Sequence, residues 1–152
     1  MEESPERNWR FMIGNPKTNL KELQKTFGDA IQLIRETDST GLNSSFLVQR
    51  ATIVFSDGSL LYITENLTKQ QLIKEFYYDW VASDKKTLLA KFHSESHDKE
   101  DYQTETEPYH VHPPEHAKLN NAKRYPNFYY NDLYSIVEGI FLFSLLPNND
   151  KK

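Results

Sequence analysis

The chain has 152 residues, 38% hydrophobic, 13% aromatic and 26% charged, with a formal net charge of −4. This length and apolar content fit one domain with a buried core and exclude a chain that stays unfolded for want of apolar surface. The lack of cysteine excludes disulfides, thiolate metal sites and a cysteine nucleophile; the acidic balance excludes a global positive field that would draw the chain onto nucleic acid.

Residues 1–30 read as a helical extension. Leu20, Leu23 and Phe27 recur at helical spacing, with Pro16 as a start signal and Gly28 as a stop. The first residues, Met1 to Glu6, are acidic and lack an apolar run, so no export signal is read there. No segment approaches the ~20 apolar residues of a membrane-spanning helix. The expectation is a cytoplasmic protein with no membrane partner.

Residues 31–94 read as a β-meander. Phe46 to Phe55 is rich in strand formers, and Ser56-Asp57-Gly58-Ser59 supplies a hairpin turn. Leu60 to Glu65 returns as the next strand. From Lys74 to Val81, period-2 alternation puts Phe76, Tyr78 and Trp80 on one face and Glu75, Tyr77 and Asp79 on the other. Ser83 to Lys86 is a second turn and Thr87 to Phe92 its partner strand; Ile31 to Glu36 fits either a first strand or a helix end.

Residues 95–108 are an acidic loop, with six carboxylates and almost no apolar content. Residues 109–130 read as an irregular histidine and aromatic loop, broken by Pro113, Pro114 and Pro126. Residues 131–146 read as a closing helix whose apolar face is Leu133, Ile136, Val137, Ile140 and Phe143, stopped by Pro147. The fold class expected is therefore α+β: one domain over 1–152, with an antiparallel meander of about four to six strands flanked by N- and C-terminal helices. Helices on one face would bury Ile53, Phe55, Phe76, Tyr78, Trp80, Ile136 and Ile140.

All five histidines lie between positions 93 and 116: His93, His97, His110, His112 and His116. Histidine is the natural acid and base near neutral pH and the commonest neutral metal ligand. In an extended segment, residues i and i+2 share a face, so His110 and His112 could divide acid and base roles on one phosphate. Their spacing with His116 matches no standard zinc signature, and the plain alternative is that these are surface loop histidines. Lys91, Arg50 and a run of cations and tyrosines from Tyr109 onward suit RNA, since phosphates attract cations and unstacked bases attract aromatic faces. The competing explanation puts the aromatics in the core. Glu65, at a strand end, is a candidate base or orienting carboxylate, or else a solvated terminus. No P-loop, dinucleotide fingerprint, nucleophile elbow or zinc-protease motif is present.

Several of these segments, in order, resemble the TumE type of bacterial toxin from toxin–antitoxin gene pairs. The resemblance runs from about Arg50 to Leu146. It is carried by Asp57-Gly58-Ser59-Leu60-Leu61-Tyr62-Ile63-Thr64-Glu65, by Phe76-Tyr77-Tyr78-Asp79-Trp80, by Lys91-Phe92-His93 followed by His97, by Tyr109-His110-Val111-His112-Pro113 and by the closing helix. Lys91 and His93 stand where the family often has Arg and Asp. The acidic loop and the first 28 residues read as additions. The resemblance implies a toxin neutralised by an antitoxin, expected to be a helix-turn-helix protein. The function expected is action on RNA as a metal-independent ribonuclease without cofactor. His110, His112, Lys91 and Glu65 would be catalytic; His93, His97, His116, Tyr109 and Arg50 would contact substrate. The alternatives are a non-catalytic protein-binding module and a metal-dependent hydrolase built on the histidines.

Overall fold

A computed structural model describes residues 14–94, 110–112, 125–126 and 132–145. The meander holds five strands, β1 (Ile31–Arg35), β2 (Val48–Phe55), β3 (Leu60–Leu67), β4 (Ile73–Val81) and β5 (Leu88–His93). Two short strands, β6 (His110–His112) and β7 (Tyr125–Pro126), continue the sheet beyond β5. Neighbours follow chain order from β1 to β7 and every pairing is antiparallel. Helix α1 (Leu20–Thr26) precedes the sheet; α2 (Leu133–Ile140) follows it and runs into a π-helical turn at Phe141–Leu145. This is the expected α+β architecture with flanking helices. The stretch from Ile31 resolves as a strand rather than a helix end.

The 109–130 segment departs from its reading as irregular, because two pieces of it pair with the sheet. An edge strand presents a row of unsatisfied backbone groups, and even three residues can satisfy them. Pro126 is compatible with this because β7 is the last strand in the described order, and proline is tolerated on an edge strand.

Alternation builds one main core. Ala51, Ile53, Phe55, Leu61, Ile63, Leu67, Phe76, Tyr78 and Phe92 bury their side chains on one face of the sheet, against Leu23 of α1 and Leu133, Ile136, Val137 and Ile140 of α2. Phe27 bridges the two helical segments, with ring centroids 6.3 Å from Tyr134 and 6.4 Å from Phe141. Asn19 caps α1 by accepting from the Glu22 N–H, and Asp132 caps α2 by accepting from the Ser135 N–H at 2.8 Å. The opposite face has only a satellite cluster of Val54, Leu60, Val81 and Leu88 at one end, so β2 is apolar on both sides there. No helix among the described residues is long and apolar enough to cross a membrane.

Two expected core positions differ. Phe143 is 76% exposed, whereas Leu145 is 2% exposed. A π turn advances less per residue than an α turn. It therefore rotates Phe143 off the apolar face and returns Leu145 to it. Trp80 is half-buried, and its Nε1–H donates to the Ser59 hydroxyl at 3.1 Å; the indole needs a polar partner at the sheet end.

The hairpin turns form as their residues dictate. Gly58 takes φ 87°, and the Asp57 carboxylate accepts from Ser59 N–H and hydroxyl. In the next turn, the Asp84 carboxylate accepts from the Thr87 hydroxyl and from the N–H groups of Lys86 and Thr87. The Thr87 hydroxyl is the main cause that lowers the Asp84 pKa from 3.8 to about 2. A depressed carboxylate pKa stabilises the fold above the unfolded value, and that contribution disappears as pH falls through the folded value. NMR titration should therefore place the Asp84 midpoint near 2. Thr87→Val should move it back up; a midpoint near that of a free aspartate in the wild type would overturn the assignment.

Candidate functional site

Strand register assembles the chemistry-bearing positions. One row of paired residues reads Arg50, Thr64, Tyr77, His93 and His110 across β2 to β6. The adjacent row reads Thr52, Tyr62, Asp79, Lys91 and His112. Residues directly opposite one another in a sheet share a face, as do residues two apart on a strand. The rows between them, such as Ala51, Ile63, Tyr78 and Phe92, are the buried core. Register positions 110 and 112 thus fall on the sheet face turned away from the helices, beside His93 and Lys91 respectively.

His93 is the best-defined member of this group. Its Nε2 lies 3.0 Å from the Asp79 carboxylate, and its ring meets Tyr77 edge-on with centroids 5.2 Å apart. The Tyr77 hydroxyl in turn donates to Glu75 at 3.0 Å. Lys91 pairs directly across from Asp79. The face therefore holds an imidazole, an ammonium, a phenol and two carboxylates within a few residues of one another. Such a set can hold an anion, orient an imidazole and move a proton. Alternation alone places Asp79 on this face without marking it as a site residue. Its partner lay beyond a turn whose register the sequence does not reveal.

Arg50 belongs to the same row but stands apart. It is three strands from His93 in the sheet order, about 14 Å at the usual strand spacing. Its guanidinium donates to the Asn43 carbonyl at 2.7 Å and approaches Asp38 at 3.6 Å. The Thr40 hydroxyl is the largest influence holding Asp38 below the usual carboxylate range, with Arg50 a smaller one. Arg50 closes the 38–44 loop at the far end of its row, three strands from His93.

Glu65 stands apart from these rows. It lies on the core face, in line with Leu61, Ile63 and Leu67, and is 0% exposed. Its carboxylate accepts from the Thr18 N–H at 3.0 Å, the Thr18 hydroxyl at 2.5 Å, the Gln49 amide at 2.8 Å and the Tyr78 hydroxyl at 2.5 Å. Burial, and next the Glu65 charge, hold the Tyr78 phenol well above the usual range. The sheet separates Glu65 from the histidine face, and its oxygens already take four donors. It ties the Asn15–Asn19 segment to the sheet. Its partners Thr18 and Tyr78 line a cavity of about 280 Å³, together with Ile73, Phe76 and Asp132.

His97, His116 and Tyr109 lie outside the described residues. Among the described residues, no group of three His, Asp or Glu side chains gathers as a metal site.

A small antiparallel α+β domain with a polar, histidine-bearing sheet face is the class of protein seen here. Residues 23–140 match the family described as Toxin TumE. The chain belongs to that toxin family and is the toxin component of a toxin–antitoxin system, with an antitoxin as its partner. The match begins before Arg50, taking in most of α1 and all of β1, so residues 23–28 are part of the family domain rather than an addition. No curated protein and no solved structure matches the chain.

Proposed function

We propose that this toxin acts on RNA by metal-independent acid and base chemistry on the open sheet face, in the cytoplasm of a bacterium, and that a helix-turn-helix antitoxin neutralises it. The chain works as one domain and needs no cofactor. The observation that supports the reading is the register that sets His112 opposite Lys91 and His110 opposite His93. One imidazole takes the proton of a ribose 2′-hydroxyl as its oxygen attacks phosphorus. The bond from phosphorus to the 5′-oxygen breaks, and the second, protonated imidazole gives its proton to that oxygen. Lys91 balances the charge that builds on the phosphoryl oxygens. As an ammonium it does so as a point charge, without the bidentate grip of an arginine. The products are a 2′,3′-cyclic phosphate and a 5′-hydroxyl.

The test is tightly induced expression in a bacterial host, followed by end-mapping of cellular RNA. Purified protein is assayed alongside on RNA in excess chelator. Growth arrest with cyclic-phosphate ends and chelator-resistant cleavage is the expected result. Arrest with no RNA cleavage would discard the ribonuclease reading and leave the toxin class intact. Cleavage that stops in chelator would transfer the chemistry to a bound metal.

A further inference from the structure

We infer that Asp79 is a positioning residue for the histidine rows, acting through His93, and that His93 is part of the site's frame rather than a substrate contact. This inference rests on the proposed acid and base reading of the open face.

The argument begins with what a carboxylate does to an imidazole. A neutral imidazole carries one N–H and one lone pair, and whichever nitrogen meets a carboxylate keeps the proton. Asp79 stands 3.0 Å from His93 Nε2, so that nitrogen is the donor and the lone pair is assigned to Nδ1. The His93 side chain is only 13% exposed, against 37% for Asp79, and Nδ1 is itself buried. A nitrogen enclosed by protein cannot meet a polynucleotide from solvent. The ring is packed edge-on against Tyr77, which removes much of its freedom to turn. Its cross-strand partner on the outer side is position 110.

Among the described residues, the charged and titratable groups around His93 on this face include Glu75, Tyr77 and Asp79 of β4, Lys91 of its own strand and register position 110 of β6. Asp79 meets His93 at a defined atom, Nε2, at 3.0 Å. Its direct register partner is Lys91, so a single carboxylate stands between the ammonium and the imidazole of β5. Removing its charge should disturb both: the tautomer of His93 and the electrostatic setting of Lys91. A carboxylate that only stabilised the sheet would do neither.

The experiment compares full-length wild type with Asp79→Asn and Asp79→Glu. Nitrogen-15 NMR of the His93 ring gives a readout that does not depend on activity. Wild type should show Nε2 protonated and Nδ1 bare. Asp79→Asn should mix or invert the tautomers; Asp79→Glu should retain them. In RNA turnover, Asp79→Asn should lose about 10²-fold in kcat with KM within about threefold, and Asp79→Glu should recover most of it. A wild-type ring protonated on Nδ1 overturns the inference, whatever the activity. An Asp79→Asn enzyme within twofold of wild type overturns the positioning role. If wild type cleaves no RNA at all, the proposed function fails, and the catalytic use of Asp79 fails with it. The ring spectrum alone still decides whether Asp79 fixes His93. If Asp79→Asn proves unstable, Asp79→Ser carries the same comparison, because residue 79 sits partly exposed on its strand.

Discussion

Alanine at both His110 and His112 is expected to abolish growth arrest and lower RNA turnover by at least about 10²-fold, the lower end of what a positioned acid or base contributes. The fold should persist. Both positions lie in a three-residue strand whose ladder is made by backbone groups, and alanine retains those groups. Each single substitution should cost nearly as much as the pair, because an acid and a base acting in one step fail together. Lys91→Ala at the neighbouring register position should also reduce turnover, since it withdraws the charge expected to face the phosphoryl oxygens. The measurement is turnover of a defined RNA at matched folded concentration, with growth arrest scored in parallel. Full activity of the double alanine protein would end the histidine mechanism. It would leave the toxin class untouched, because that class rests on the family match over residues 23–140.

Much of the fold was legible because its signals are local. The alternation from Phe76 to Trp80 and the Asp57-Gly58 turn fix two strands and a hairpin without long-range information. The apolar spacing of Leu133, Ile136, Val137 and Ile140 likewise gives α2. The π turn was not legible, since its effect is a change of phase that Phe143 and Leu145 fit equally well by hydropathy. The site was legible in part. Clustering singled out the histidines, but pairing of position 110 with His93 spans a long acidic stretch that carries no register signal. Asp79 reads as a surface residue of a strand, because its contact with His93 depends on the register across the 83–86 turn, which shifts between Trp80 and Val81. Glu65 illustrates the opposite case. Leu61, Ile63 and Leu67 already place it inward by alternation, yet a carboxylate near a strand end reads as solvated or catalytic. What decides its place is four donors from three residues in distant parts of the chain, Thr18, Gln49 and Tyr78.

That arrangement makes Glu65 the position where one substitution should cost the most stability. Glu65→Ala removes the acceptor of two hydroxyls, one backbone N–H and one side-chain amide, and leaves a void where the carboxylate stood. Buried donors without an acceptor cost roughly 1–3 kcal/mol each. The two hydroxyls can turn toward other acceptors, so the four costs do not simply add. A loss of about 3–5 kcal/mol is expected from the unmet neutral donors and the void together. For a chain of this length that lowers the thermal midpoint by roughly 10 °C or more. Glu65→Gln separates acceptor from charge. Its carbonyl oxygen can still take the Thr18 N–H and the Gln49 amide, while its NH2 group turns the Tyr78 and Thr18 hydroxyls from donors into acceptors. That substitution should cost only about 1–2 kcal/mol. Because Glu65 faces the helices and the histidine rows face away, Glu65→Gln protein should retain RNA turnover within a fewfold of wild type at a temperature where both are folded. Thermal unfolding and turnover measured on one preparation decide the matter: a stable Glu65→Gln protein that has lost activity would return Glu65 to the catalytic group and contradict the placement of that group on the open face.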